Sequence, residues 1–286
     1  MSESMFGDFF LKWAISEPEI CLLVLFGSRV RSVTDICAAD ENSDWDYQIG
    51  TTRPERFADG AWLASMGFPP LKYVERCGRL GSARKVTAIL ESGEIDLVIF
   101  PAADFRALMR WELEGWGAAP PVGRQALTDL STVLQGGYRV VKGEAEFLGF
   151  YRWVVERVRP ARLSDEAVCG LADGFVCDFV STSRKLARGE LLAGQRWLHH
   201  HLIEVNYQLL HELRLRAGLP SLPDGRRLEL LGEARSTAFS GNAELTRSSL
   251  QAAVKASAET CRALVQDLVG KRWCWPDLSA LHLRAE

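Results

Sequence analysis

ICLLVLFGSR (residues 20–29), SDWDYQI (43–49) and EIDLVIF (94–100) are the stretches on which the reading of this chain turns. ICLLVLF is a continuous apolar run, too short for a typical helix, and predicts a buried strand. Gly27 then permits a tight turn. WDYQIGT (45–51) alternates and predicts a second strand. Side chains alternate faces along a strand, so Asp44 and Asp46 project together while Trp45 points the other way. EIDLVIF predicts a neighbouring strand that carries Asp96, with Leu97 and Ile99 facing away from the carboxylates.

Three carboxylates converging from two strands beside a Gly-Ser turn suit metal-dependent transfer from a nucleoside triphosphate. Hard oxygen ligands favour Mg²⁺. Two such ions on Asp44, Asp46 and Asp96 can clamp the attacking and leaving oxygens at a phosphorus atom. Gly27 and Ser28 would offer backbone N–H groups and a hydroxyl to the triphosphate, and Arg29 would add charge. Positioning and charge neutralisation do most of the work in such chemistry. Singly, each motif is ordinary, since surface carboxylates are mostly just solvated. The order makes the case: apolar strand, GS, loop, DxD opening a strand, then a hairpin into an Asp-bearing apolar strand.

Around these motifs the chain predicts an α+β fold. Residues 5–15 read as a short helix with Phe6, Phe9, Phe10 and Trp13 on one face. A short helix and loop are expected after Val30, and a helix from Pro54 to Ala64. KYVERCG (72–78) and KVTAILES (85–92) predict further strands, with Ser92-Gly93 as the hairpin turn before the Asp96 strand. Helices are expected over 104–116 and 124–134. YRVVKG (138–143) reads as an extended linker. Beyond it, helical periodicity dominates: 146–158, 164–188, 190–217 and 243–269, with Ser164 as a helix start. The expected organisation is a mixed β-sheet domain with flanking helices over 1–140, followed by an α-helical bundle domain over 141–286.

Composition narrows the function classes. A chain of 286 residues with 47% hydrophobic and 25% charged residues builds a core rather than a disordered tract. A net charge of −3 argues against a broad nucleic-acid-binding surface. The seven cysteines form no CxxC pair, so reduced, mostly buried thiols are expected. The N-terminus has acids early and no basic stretch before an apolar core, unlike a secretory signal. No apolar run reaches the roughly 20 residues of a membrane span. The expectation is a cytoplasmic protein without membrane attachment, a monomer or homodimer.

GSR, SDWDYQI and ILESGEIDLVIFP together resemble the nucleotidyltransferase superfamily related to DNA polymerase β. More narrowly they look like the aminoglycoside 6-adenylyltransferases, also called streptomycin adenylyltransferases. FVSTSRKLARGELLAGQRWLHHHLIEVNYQLL (179–210) looks like the helical region of that family. The resemblance implies a mixed-sheet nucleotidyltransferase domain and a helical domain. It also implies transfer of AMP from ATP to an aminoglycoside hydroxyl with two Mg²⁺ ions. Gly27, Ser28, Asp44, Asp46 and Asp96 match the motif positions. There is one departure: where the family places an acidic residue on a long helix as general base, this chain has Gln195 or Arg196, with Glu190 and Glu204 the nearest acids.

Lys185, near Arg184 and Arg188, is a candidate triphosphate contact if the helical part folds over the first, and a solvated basic face is the alternative. His199, His200 and His201 are consecutive, so on a helix they point about 100° apart and are poorly placed to share one ion. Three readings remain: an adenylyltransferase acting on a small acceptor, a nucleotidyltransferase modifying a protein or RNA as toxin–antitoxin enzymes do, and a non-catalytic nucleotide-binding module.

Overall fold

The computed structural model describes residues 3–77, 82–231, 239 and 241–279. Two compact units result, Met1–Ala161 and Arg162–Glu286. The first is built on six strands: β1 (Ile20–Phe26), β2 (Trp45–Thr51), β3 (Lys72–Cys77), β4 (Arg84–Leu90), β5 (Gly93–Pro101) and β6 (Tyr138–Lys142). They lie in the order β3-β4-β5-β2-β1-β6. β2 and β5 run parallel, and the other neighbouring pairs are antiparallel.

Alternation gives the sheet two apolar faces. On one, Leu23, Leu25, Tyr47, Ile49, Ile95, Leu97 and Ile99 pack with Phe6, Phe10 and Ala14 of helix α1 (Glu3–Ser16) and with Trp62 and Leu63 of α2 (Ala61–Ser65). On the other, Leu22, Val24 and Phe100 pack under α3 (Ala102–Met109), α4 (Trp111–Glu114), α5 (Pro121–Leu134) and α6 (Glu144–Arg157). Helices on both faces bury the strands, which is why β1 reads as an unbroken apolar run rather than an alternating one. Asp46 and Gln48 share the α5–α6 face, and there the buried Tyr151 hydroxyl of α6 donates to Gln48 Oε1.

Most of the expected elements are present, with instructive differences. The helix expected after Val30 is replaced by turns, the 3₁₀ turn Gly27–Val30 preceding them, and 54–64 is a 3₁₀ turn followed by the short α2. Gly78, expected to end a strand, lies outside the described residues. The β4–β5 turn falls on Glu91 and Ser92, one residue earlier than expected. YRVVKG is no linker: Tyr138, Arg139 and Val140 pair with Phe26, Leu25 and Val24, making β6 an edge strand. Phe147, Phe150, Tyr151 and Val154 of α6 are buried in the core of the first unit. The division therefore falls after Ala161 rather than after residue 140. Of the cysteines, Cys37 and Cys261 are buried while Cys177 and Cys274 are exposed, fewer buried thiols than expected.

The second unit is helical: α7 (Asp165–Ala187), α8 (Leu191–Trp197), α9 (Glu204–Arg216) and α10 (Arg247–Val269). Ser164 Oγ caps α7 by accepting from Ala167 N at 3.1 Å, as its sequence position predicts. Residues 191–216 are helical throughout, with a π-helical turn, Leu198–Ile203, between α8 and α9. Val168, Phe175, Leu202, Leu209, Val254 and Leu264 fill the core. The buried Asn206 ties α9 to α10, donating to Ser257 O at 3.0 Å and Ser257 Oγ at 2.9 Å. No helix among the described residues is long and apolar enough to cross a membrane.

Two features carry predictions. Gly7 of α1 lies against Trp45, where an added Cβ would sit 2.2 Å from the indole. Alanine would improve the helix by about 1 kcal/mol, but the clash outweighs that, and overpacking costs roughly 1–3 kcal/mol. Gly7→Ala is expected to lower the urea midpoint of the first unit. Glu212 of α9 is 3% exposed. It accepts from Arg162 Nη2 at 2.9 Å, Arg216 Nε at 2.9 Å and Leu163 N at 3.0 Å. Burial pushes its carboxyl up, and these donors outweigh burial to hold it below the ordinary value of 4.5. Its contribution is therefore complete above about pH 4.5 and lost as pH falls through the lower folded-state value. Urea unfolding across pH 3–6 should show that acid limb in the native chain and a flatter one in Glu212→Gln.

Candidate functional site

One line of paired residues crosses four strands: Phe26 of β1 opposes Asp46 of β2, Asp46 opposes Asp96 of β5, and Asp96 opposes Thr87 of β4. Asp44 lies two residues before Asp46 and so on the same face. A ligand oxygen from each of Asp44, Asp46 and Asp96 lies within 4.8 Å of the others. Among the described residues no other group of three or more His, Cys, Asp or Glu side chains converges this way. The trio singled out in the sequence is thus brought together by register.

Gly27 follows Phe26 directly and has φ +78°, and a Cβ there would sit 2.1 Å from Asp46 Oδ2. Only glycine leaves room for that carboxylate, and the backbone conformation is one that side-chain-bearing residues rarely adopt. The neighbouring Ser28 Oγ is buried and without a hydrogen-bond partner among the described residues. A buried hydroxyl in that state calls for an explanation, and an unseen ligand or water is one.

Arg29 does something the sequence did not suggest. Its guanidinium lies 4.1 Å from the Trp45 ring centroid. Its Nε donates to Asp44 O at 2.9 Å, and its Nη2 donates to Ser43 O. It clamps the backbone that delivers Asp44 to the strand. Burial pushes this guanidinium down from its usual pKa, while Tyr47, Asp44, Asp40 and Asp46 push it back up.

Sequence reasoning missed two neighbours of Asp96. Thr87 Oγ1 donates to Asp96 Oδ1 at 2.5 Å, and Lys85 Nζ lies 2.6 Å from Asp96 Oδ2. Their spacing in KVTAIL, two apart on a predicted strand, held the signal, but using it required the β4–β5 register.

The remaining candidates are placed as follows. Lys185, on α7 in the second unit, sets its Nζ 4.6 Å from the Trp197 ring centroid. Gln195 and Arg196 lie on α8. Glu190 is paired with Arg188 at 2.6 Å, and Glu204 accepts from Gln208 at 3.4 Å. The three histidines occupy the π-helical turn, where His201 stacks on Trp197 and faces Asp178 Oδ2 at 3.5 Å.

No protein family matches the sequence, and no curated protein is similar to it at the sequence level. Among solved structures, the chain is similar to an aminoglycoside 6-adenyltransferase from Bacillus subtilis, at 13% identity and a TM-score of 0.39 over 97% of this chain and 94% of that one. It is also similar to a nucleotidyltransferase-like protein from Exiguobacterium sibiricum, at 11% identity and a TM-score of 0.34 over 94% and 77%. Neither likeness assigns an activity to this chain.

The close approach at Gly27 yields a direct test. Gly27→Ala must displace Asp46 Oδ2 or twist the turn. Isothermal titration with Mn²⁺ should show binding weakened roughly 10- to 100-fold, the cost typical of disturbing the support of a metal ligand.

Proposed function

We propose that this chain is a Mg²⁺-dependent nucleotidyltransferase that moves AMP from ATP to a hydroxyl of a small acceptor. The observation that carries the reading is the trio itself: carboxylate oxygens of Asp44, Asp46 and Asp96 within 4.8 Å of one another. Like charges that close cost on the order of 3 kcal/mol per pair at an effective dielectric near 20. A fold that pairs them by strand register retains that cost, and divalent cations would offset it. The donor set fits Mg²⁺: every ligand is a hard oxygen, and the orphaned Ser28 hydroxyl stands on the adjoining turn.

Asp44, Asp46 and Asp96 would hold two ions. When bound, Mg²⁺ neutralises the triphosphate and makes its α-phosphorus easier to attack. The residues themselves do the rest. Gly27 keeps the turn close to Asp46, and Ser28 offers a hydroxyl to a phosphate oxygen. Arg29 fixes the backbone of Asp44 rather than serving as a free phosphate contact. In the transfer, the acceptor oxygen bonds to the α-phosphorus and passes its proton to water. The bond from that phosphorus to the bridging oxygen breaks, and pyrophosphate leaves.

An aminoglycoside is the acceptor that the motif resemblance favours, and a chain of net charge −3 does not repel a polycation. ATP labelled at the α-phosphate, incubated with Mg²⁺ and an aminoglycoside panel, should yield labelled antibiotic and pyrophosphate. Label on protein or RNA instead would replace the acceptor and keep the chemistry. Asp46→Asn should lower kcat/KM by on the order of 10³, since a lost Lewis acid is worth several kcal/mol. Undiminished transfer in that variant would sink the metal assignment.

A further inference from the structure

The function proposed above leaves one charge in the site without a role. Lys85 opposes Val98 on β5, and Thr87 opposes Asp96. Alternation puts all four side chains on one face of the sheet, so the lysine lies diagonal to the carboxylate. Lys85 Nζ is 2.6 Å from Asp96 Oδ2, and Thr87 Oγ1 is 2.5 Å from Asp96 Oδ1. Donors from the chain itself thus hold both oxygens of the third carboxylate.

The two donors are not equivalent. The threonine hydroxyl is neutral and can keep one oxygen while the other binds a metal. The ammonium is a point charge where a second cation would come, and the two repel. Lys85 is 42% exposed, against 14% for Asp96. Its flexible four-carbon stem can leave the carboxylate at little packing cost.

We propose that Lys85 is a resident cation of the metal site, one that a divalent ion must displace and that then turns to the triphosphate. This rests on the metal-site reading above. Without nucleotide, the displaced ammonium remains beside the incoming ion, so metal binding is opposed. With nucleotide, the polyphosphate receives it. Metal and nucleotide thereby favour each other's binding, and such coupling is reciprocal. It makes metal capture conditional on the substrate.

The test measures Mn²⁺ binding to the full chain by electron paramagnetic resonance, with and without α,β-methylene-ATP. Lys85→Met and Lys85→Gln remove the charge, and Lys85→Arg keeps it. For the neutral variants, Mn²⁺ affinity without nucleotide should rise roughly 3- to 10-fold, the scale of a partly exposed ion pair. The gain in Mn²⁺ affinity brought by the analogue should shrink by a similar factor. Lys85→Arg should stay close to the native chain in both. Unchanged Mn²⁺ affinity in both neutral variants, with binding abolished in Asp46→Asn, overturns the role of Lys85 and leaves the metal site standing. Mn²⁺ binding that survives Asp46→Asn unaltered overturns both. Circular dichroism on each variant ties the readout to folded protein.

Discussion

Asp46 and Asp96 face each other directly across the one parallel pairing in the sheet. Like charges in directly opposed positions weaken a sheet, and Asp44 adds a third within 4.8 Å. Much of what surrounds them reads as accommodation of that repulsion. Gly27 withholds a side chain so that Asp46 fits. Thr87 and Lys85 engage Asp96. Arg29, stacked on Trp45, secures the backbone ahead of Asp46. Apolar layers on both faces keep the strands in register against the charge, with Tyr47, Ile49, Leu97 and Ile99 buried immediately beyond the carboxylates.

The second unit solves a related problem differently. Glu212 is buried more deeply than the carboxylates of the sheet, yet Arg162, Arg216 and a backbone amide satisfy it completely. A carboxylate so enclosed serves the fold. The sheet carboxylates are less deeply buried and lie within 4.8 Å of one another.

Much of this was legible in the sequence because it is local. An apolar run of seven residues, a DxD at the start of an alternating segment and an Asp inside a second apolar run each announce a strand, and faces follow from alternation. What stayed hidden is information carried between strands. YRVVK has strand-forming residues but only five of them after a Gly-Gly break, so its role as β6 emerges only against β1. Lys85 and Thr87 are ordinary polar positions until β4 is aligned with β5. Arg29 suggests a phosphate contact because it follows Gly-Ser, whereas its bonds to carbonyls 14 and 15 residues further on emerge only from the fold. The π-helical turn lies within a periodic stretch whose apolar pattern does not announce it.

The parallel seam has a consequence for how the site comes into being. β3, β4 and β5 are joined in sequence and pair antiparallel, so they can assemble as a meander from local contacts. β1 and β2 form a second local antiparallel piece. Neither piece contains a complete set of carboxylates. Only when the two dock along β2 and β5, joining residues 50 apart such as Asp46 and Asp96, does the trio exist. Such long-range pairing closes slowly. A nascent chain therefore keeps its three carboxylates apart while its hairpins form, and their clustering arises in the same step that joins the two pieces along β2 and β5.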